Sequence, residues 1–253
     1  MMGNRVSINY PPIRIISLVP SQTELLFDLG LGERVVGITK FCIHPSEWFR
    51  TKKRVGGTKT IHADRIRELN PDLVIANKEE NTKEQIEELA ALFPVWVSNI
   101  KTIDDALRMI SDVGDLVGRK KRALELVAEI RNGFQGLYQP ANGNNKKVAY
   151  FIWRNPWMVA GGDTFISDMI KACGWENVFS GTQRYPEITL DLLKEMHPDL
   201  VLLSSEPYPF KEAHIEEVKS TLPGTEVLLA DGEMFSWYGS RMKLAPQYLK
   251  RFL

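Results

Sequence analysis

IRELNPDLVIANKEE (66–80) and LKEMHPDLVLLSSEP (193–207) are the stretches whose reading decides the fold. Each ends an amphipathic helix, steps through Pro-Asp, runs apolar for the length of a strand and leaves on a polar, acidic exit. The residue before each proline is pushed out of the right-handed α region, so the helix stops there. The unbroken branched runs that follow suit strands covered on both faces. The same plan, met twice, predicts a chain built from two similar halves.

Working outward, a further matching unit precedes each copy. RIISLV (14–19) and KVAYFIW (147–153) read as short strands leading through loops into glycine-closed helices, and VVGITK (35–40) reads as a second strand. Ser21 and Glu24 have the S-x-x-E spacing of a capping box, with Gly30 as the left-handed terminator. In the second half Asp163 or Thr164 is placed to cap FISDMIKA (165–172), which stops at Gly174. Between the halves, apolar side chains at Ile103, Leu107, Ile110, Val113, Val117, Leu124, Val127, Ile130, Phe134 and Leu137 follow helical spacing. They predict one long helix across Gly114 and Gly118, roughly 50 Å at the standard rise, after which GLYQPANGNNKK (136–147) returns the chain to the second half. Strands alternating with helices imply parallel sheets. The expectation is an α/β protein of two Rossmann-like lobes: an N-terminal lobe over 1–102, a connecting helix over 103–138 and a C-terminal lobe over 139–253. In open α/β sheets ligands collect beyond the carboxyl ends of the strands, and two such sheets facing one another would enclose a cleft.

Composition narrows the function. The 253 residues are 43% hydrophobic and 25% charged, and Lys plus Arg equals Asp plus Glu at 32 each. That balance lacks the basic excess that binding along a phosphate backbone requires, so no nucleic-acid partner is expected. IISLV (15–19) and VLLA (227–230) are too short to cross a bilayer, so no membrane insertion is expected. The N-terminus MMGNRVSINYPPIRIISLVP has no secretory leader pattern, which reads as cytoplasmic as the sequence stands and periplasmic if a leader has already been removed.

Several blocks resemble one family: the helical-backbone metal-chelate receptors, or class III substrate-binding proteins of ABC importers, especially their cobalamin-binding members. The blocks are RIISLVPSQTELLFDLGLGERVVGIT (14–39), F-x-x-HP (41–45), VGGTKTIHADRIRELNPDLVIA (55–76), CGWENVF (173–179) and SWYGSRMKLAPQYL (236–249). The resemblance implies two lobes bridged by a rigid helix, a cleft for a corrinoid, haem or ferric siderophore, and a permease partner met by one acidic residue on each lobe. By position those residues are Glu84 (or Glu79, Glu80) and Glu206. The family alignment also puts Glu233 and Trp237 at ligand-contact positions. The chain departs from the cobalamin-binding members at Thr58 and Asn77, where they carry tryptophan.

A corrinoid or porphyrin has a wide apolar face and a polar rim, so its receptor needs flat aromatic walls and a few donors. Trp153 and Trp157 in FIWRNPW, Tyr185, and Phe235, Trp237 and Tyr238 in GEMFSWYGSR lie in stretches that read as loops after strands. Arg154 and Arg241 beside them could fork onto a carboxylate or phosphate, or hold a structural carboxylate. Pro20 and Ser21 stand at the first strand's exit, Asn77 at that of a later strand, and Phe41, Cys42 and His44 follow the second. His44 could ligate the metal of a chelate, alone or with Cys42, although a free metal site needs more ligands than this pair supplies; Cys42 packed beside a backbone-bonded His44 is the plainer reading. No built-in cofactor is expected.

No G-x-S-x-G, P-loop, H-E-x-x-H or G-x-G-x-x-G pattern stands where its chemistry would need it. Cys42 with His44 is the one nucleophile and base couple, and neighbours on a strand seldom reach one another. Three readings follow: a chelate receptor for uptake, a cytoplasmic carrier or sensor of the same ligands, and a Cys42-dependent enzyme.

Overall fold

The computed structural model describes residues 6–137 and 146–253. The fold is a two-lobed α/β architecture whose chain forms two compact units, one with a parallel sheet and one with a mixed sheet. The first unit takes the chain to Ile100, then Asp104–Ile130, and also Tyr238–Arg241 from near the C-terminus; the second takes Lys101–Ile103, Arg131–Trp237 and Met242–Leu253.

The first unit runs β1 (Ile15–Ser17), α1 (Pro20–Asp28), β2 (Val35–Ile38), α2 (Ser46–Thr51), β3 (Lys53–Arg54), α3 (Ala63–Leu69), β4 (Leu73–Asn77), α4 (Lys83–Ala90) and β5 (Val95–Ser98), followed by α5 (Ile103–Leu116) from its second residue and α6 (Lys120–Gln135) as far as Ile130. Its strands pair in parallel in the order β3-β2-β1-β4-β5, so the connections reverse direction between β1 and β4. Alternate residues, Ile16 of β1 and Leu18 just beyond it, Val74 and Ala76 of β4, pack with Ile66 of α3 and with Ile86 and Leu89 of α4. Fully burying such a side chain contributes about 1.5–3 kcal/mol.

The second unit contains β6 (Lys147–Trp153), β7 (Trp157–Val159), α7 (Phe165–Ala172), β8 (Glu176–Asn177), β9 (Glu187–Ile188), α8 (Leu190–Glu195), β10 (Leu200–Ser204), α9 (Glu212–Thr221), β11 (Glu226–Ala230), α10 (Gly232–Ser236) and α11 (Ala245–Leu249). Its sheet runs β11-β10-β6-β7-β9, with β8 also on β6. β6, β10 and β11 are parallel, as β1, β4 and β5 are in the first unit. The expected all-parallel sheet is corrected here, because β6 folds back into β7 antiparallel, pairing Phe151 with Val159 and Trp153 with Met158. FIWRNPW is therefore a strand turning into a hairpin partner rather than a loop.

The repeat survives in atomic detail. Asn70 and His197, the residues before the two prolines, adopt left-handed φ angles of 42° and 48°, a conformation Asn and His tolerate better than most side chains. Asp72 accepts hydrogen bonds from the backbone N–H groups of Ile13 and Arg14 ahead of β1, and Asp199 accepts one from Lys147 N at the start of β6. Each Pro-Asp step thus ties its own strand to the first strand of the same unit. Gly30 and Gly174 close α1 and α7 at φ 75°, followed by a bond from Leu31 N to Leu26 O and from Trp175 N to Ile170 O, the paired closure of a Schellman end.

Two helix expectations are corrected. The N-cap of α1 is Val19, and Pro20 stands at the first helical position, where a missing N–H costs nothing; Ser21 and Glu24 make no capping box. At α7 it is Thr164 that caps, accepting from Ser167 N. Residues 103–137 do not form one helix, because α5 ends in a Schellman turn at Gly118, φ 69°, with Arg119 N bonded to Gly114 O and Gly118 N to Asp115 O. The chain then restarts as α6, packed so closely that a Cβ on Gly114 would lie 2.2 Å from that of Ala123. Most of the expected return loop at 136–147, with the expected boundary at 138, lies outside the described residues.

Candidate functional site

In the first unit, the reversal between β1 and β4 is where an open α/β sheet leaves room for a ligand at the strand ends. Pro20 is half-buried and Ser21 buried at the exit of β1. A polar layer lies beneath them. Thr23 Oγ1 is 2.8 Å from Ser17 Oγ and 3.1 Å from Cys42 Sγ. Gln22 Nε2 donates to Ser98 Oγ. Asn77, 1% exposed, donates through Nδ2 to Ser98 O and Oγ and accepts through Oδ1 from the N–H groups of Glu79 and Glu80. An amide side chain has two donors and two lone pairs, and Asn77 spends them tying the end of its own strand to that of β5.

Beyond β2, Phe41 is half-exposed with Lys40 Nζ 5.0 Å from its ring centre, and His44 is half-buried. Cys42 is fully buried, and burial pushes its thiol above the ordinary range despite the Thr23 and Thr39 contacts. Its sulfur lies 3.1 Å from Thr23 Oγ1 and 3.2 Å from Thr39 Oγ1. Among the described residues no group of three or more His, Cys, Asp or Glu is arranged to hold a metal ion. Glu84 is exposed in the first turn of α4.

Arg241, 9% exposed and part of this unit, forks onto Glu24 of α1: Nε to Oε2 at 2.8 Å and Nη2 to Oε1 at 2.7 Å. That pair is the structural alternative, and it engages Nε and Nη2 of the guanidinium expected for a ligand rim. Tyr238 is buried, at 6% exposure, and not a wet loop aromatic.

In the second unit, the carboxyl ends of β6 and β10 carry a run of rings. Trp157 meets Phe151 edge-on at 5.4 Å and lies nearly parallel to Phe210 at 6.0 Å; Tyr208 meets Phe210 at 4.8 Å and Trp153 at 5.6 Å. His214 Nδ1 accepts from Lys211 N, and Nε2 lies 3.3 Å from the Tyr208 hydroxyl. Trp153 is the most open of these rings at 39% exposure, while Trp157 and Tyr208 are half-buried. Tyr208 and Phe210 escaped the sequence reading. The available signal was YPF after β10, where proline alternates with rings. Arg154 lies 5.5 Å from the Trp157 ring, with its fork on Glu217 of α9 at 2.9 and 2.8 Å. Its expected rim role therefore meets an ion pair already made, which raises the guanidinium's proton affinity further.

Tyr185 is half-buried beside Arg184, 5.9 Å from its ring. Trp237 is buried and donates Nε1–H to Glu206 Oε1 at 2.7 Å, and Ser236 Oγ donates to the same oxygen at 2.9 Å. Burial pushes the Glu206 carboxyl above the ordinary range, with Glu233 and Asp231 adding to the shift. Gly232 packs over it, since a Cβ there would lie 2.4 Å from Glu206 Cγ. Glu206, expected by position to meet a permease, is thus a tethered carboxylate. Glu233 is half-buried in the first turn of α10.

This arrangement of sheets is that of a periplasmic binding protein, and comparison with known sequences agrees. Residues 15–228 match the periplasmic binding protein family, so the chain belongs to it. A vitamin B12-binding protein of Vibrio campbellii is 28% identical over 200 residues, covering 78% of this chain and 72% of the relative. An uncharacterized ABC transporter substrate-binding lipoprotein of Bacillus subtilis is 25% identical over 206 residues, covering 78% and 65%. Among solved structures, the periplasmic vitamin B12-binding protein of Vibrio cholerae superposes with a TM-score of 0.81 at 23% identity over 95% of this chain and 98% of that one. The apo periplasmic haem-binding protein of Roseiflexus sp. RS-1 gives 0.80 at 24% over 94% and 96%. Among the described residues no helix is long and apolar enough to cross a membrane.

Proposed function

We propose that the chain is the substrate-binding component of an ABC-type importer and that its ligand is a metal chelate, a corrinoid ahead of haem or a ferric siderophore. The observation that carries this reading is the run of rings at the ends of β6 and β10, where Trp153, Trp157 and Tyr208 keep part of their surface open. Flat half-covered rings beside an exchangeable Arg154–Glu217 pair suit a macrocycle with a polar rim. The corrinoid comes first because vitamin B12-binding proteins of two Vibrio species are each 28% identical to this chain over 200 residues. Phe41, His44, Tyr185 and Glu233 are the remaining contacts proposed, His44 toward a chelated metal. Glu84 is proposed for the permease, whereas Glu206 has Oε1 engaged by Ser236 and Trp237. No cofactor and no catalytic step enter this reading.

Thermal-shift titration with cobalamin, cobinamide, haem and ferric siderophores tests it. One of these raises the melting temperature in proportion to the logarithm of its concentration, and Trp157→Ala reduces the rise. Failure of all three classes, corrinoid, haem and ferric siderophore, to move the melting temperature sinks the chelate reading and leaves the family assignment standing.

A further inference from the structure

We propose a second site on the first unit, formed by Tyr10 and the four consecutive cations Arg119, Lys120, Lys121 and Arg122, that takes a phosphoryl-bearing anion. These residues, with Gly118 and Glu125, line a cavity of about 500 Å³, and none of them is among the proposed chelate contacts. Gly118 is part of its lining, and a Cβ there would lie 3.2 Å from Pro11 and 3.7 Å from the Tyr10 hydroxyl.

The charge balance is one-sided. Glu125 is the single carboxylate in the lining, and it reaches Arg122 at 3.5 Å with both side chains about half exposed. Lys120 reaches Asp115 at 3.2 Å, again well exposed. Pairs of that kind contribute little and exchange readily. Arg119, half-buried, and Lys121, exposed, enter no ion pair among the described residues. Four like charges at successive positions repel one another, and an anion carrying two or more charges relieves that repulsion. Guanidinium forks, ammonium groups and a phenol hydroxyl are together the donors a phosphoryl group uses best. The cavity admits a soluble phosphorylated compound or the headgroup of an anionic phospholipid, and the chemistry recognised is the same.

The test uses the full chain at low ionic strength. Calorimetric titration with inorganic pyrophosphate forms one arm. Co-sedimentation with phosphatidylcholine vesicles, with and without phosphatidylglycerol, forms the other. One-to-one pyrophosphate binding that weakens at least tenfold in Arg119→Ser/Lys121→Ser assigns a soluble anion. Sedimentation that requires phosphatidylglycerol and is lost in the same variant assigns a headgroup. Absence of binding in both arms, or undiminished binding by the variant, overturns the proposal. Should the double variant fail to fold, Lys121→Gln, which alters one exposed side chain, takes its place under the same criteria.

Discussion

A guanidinium as buried as that of Arg241 needs a counter-charge, and Glu24 supplies it in two parallel bonds. Removing one partner strands the other in a poorly hydrated place, so Arg241→Ala should cost about 3–5 kcal/mol. Urea unfolding at neutral pH measures this, and replacing both residues by apolar ones should recover most of the loss. Glu206 behaves differently, because its neutral form is the one the fold favours. A carboxyl raised above its ordinary value of 4.5 contributes stability that is complete below that value and is lost as pH rises through the folded-state value. Glu206→Gln keeps an acceptor for Trp237 and Ser236 without the charge. Its melting temperature should therefore match that of the parent near pH 4 and exceed it near pH 7. A variant that instead melts lower at pH 7 would show the charged form to be the stabilised one. Neither pairing was legible beforehand: Glu24 sat in capping spacing with Ser21, and Arg241 sat among aromatics in a stretch 217 positions away.

At the level of elements, the Pro-Asp repeat was fully legible because each copy carries its own stop, its own strand and an aspartate that ties the strand down. The break between α5 and α6 was not legible. In the sequence the apolar spacing passes straight from Val117 to Leu124, seven positions on, whereas in the structure Leu124 is 49% exposed and Ala123 and Leu126 take the buried face beyond the turn. Only Gly118 in the left-handed region, with Gly114 against Ala123, separates two helices from one. Gly118→Ala should cost about 1 kcal/mol for the positive φ. Gly114→Val should cost about 1–3 kcal/mol, because backbone must move to admit the side chain. Chemical denaturation ranks the two. If both proved neutral, close contact at the turn would not be what holds it. FIWRNPW misled for a related reason: its hairpin depends on pairing between Phe151 and Val159, eight positions apart and spanning a proline turn that local patterning reads as an exit.

At the level of the whole chain, ligand binding and stability can be separated by arithmetic. A ligand selective for the folded chain stabilises it by about 2.7 kcal/mol at one hundred times its Kd. For a protein of this size each kcal/mol moves the melting temperature by about 2–4 °C, so the cognate chelate should add roughly 5–11 °C. Leu203, fully buried in β10, provides the control. Leu203→Ala should lower the unliganded melting temperature through a loss of about 2–5 kcal/mol while leaving the ligand's increment intact, because the increment depends on Kd and not on the starting stability. Trp157→Ala and Tyr208→Ala should shrink the increment itself, by about 1.4 kcal/mol for every tenfold loss of affinity. Equal increments in all three variants would mean that the rings at the ends of β6 and β10 serve packing alone, and the chelate would then have to be sought among Phe41, His44 and their neighbours at the end of β2.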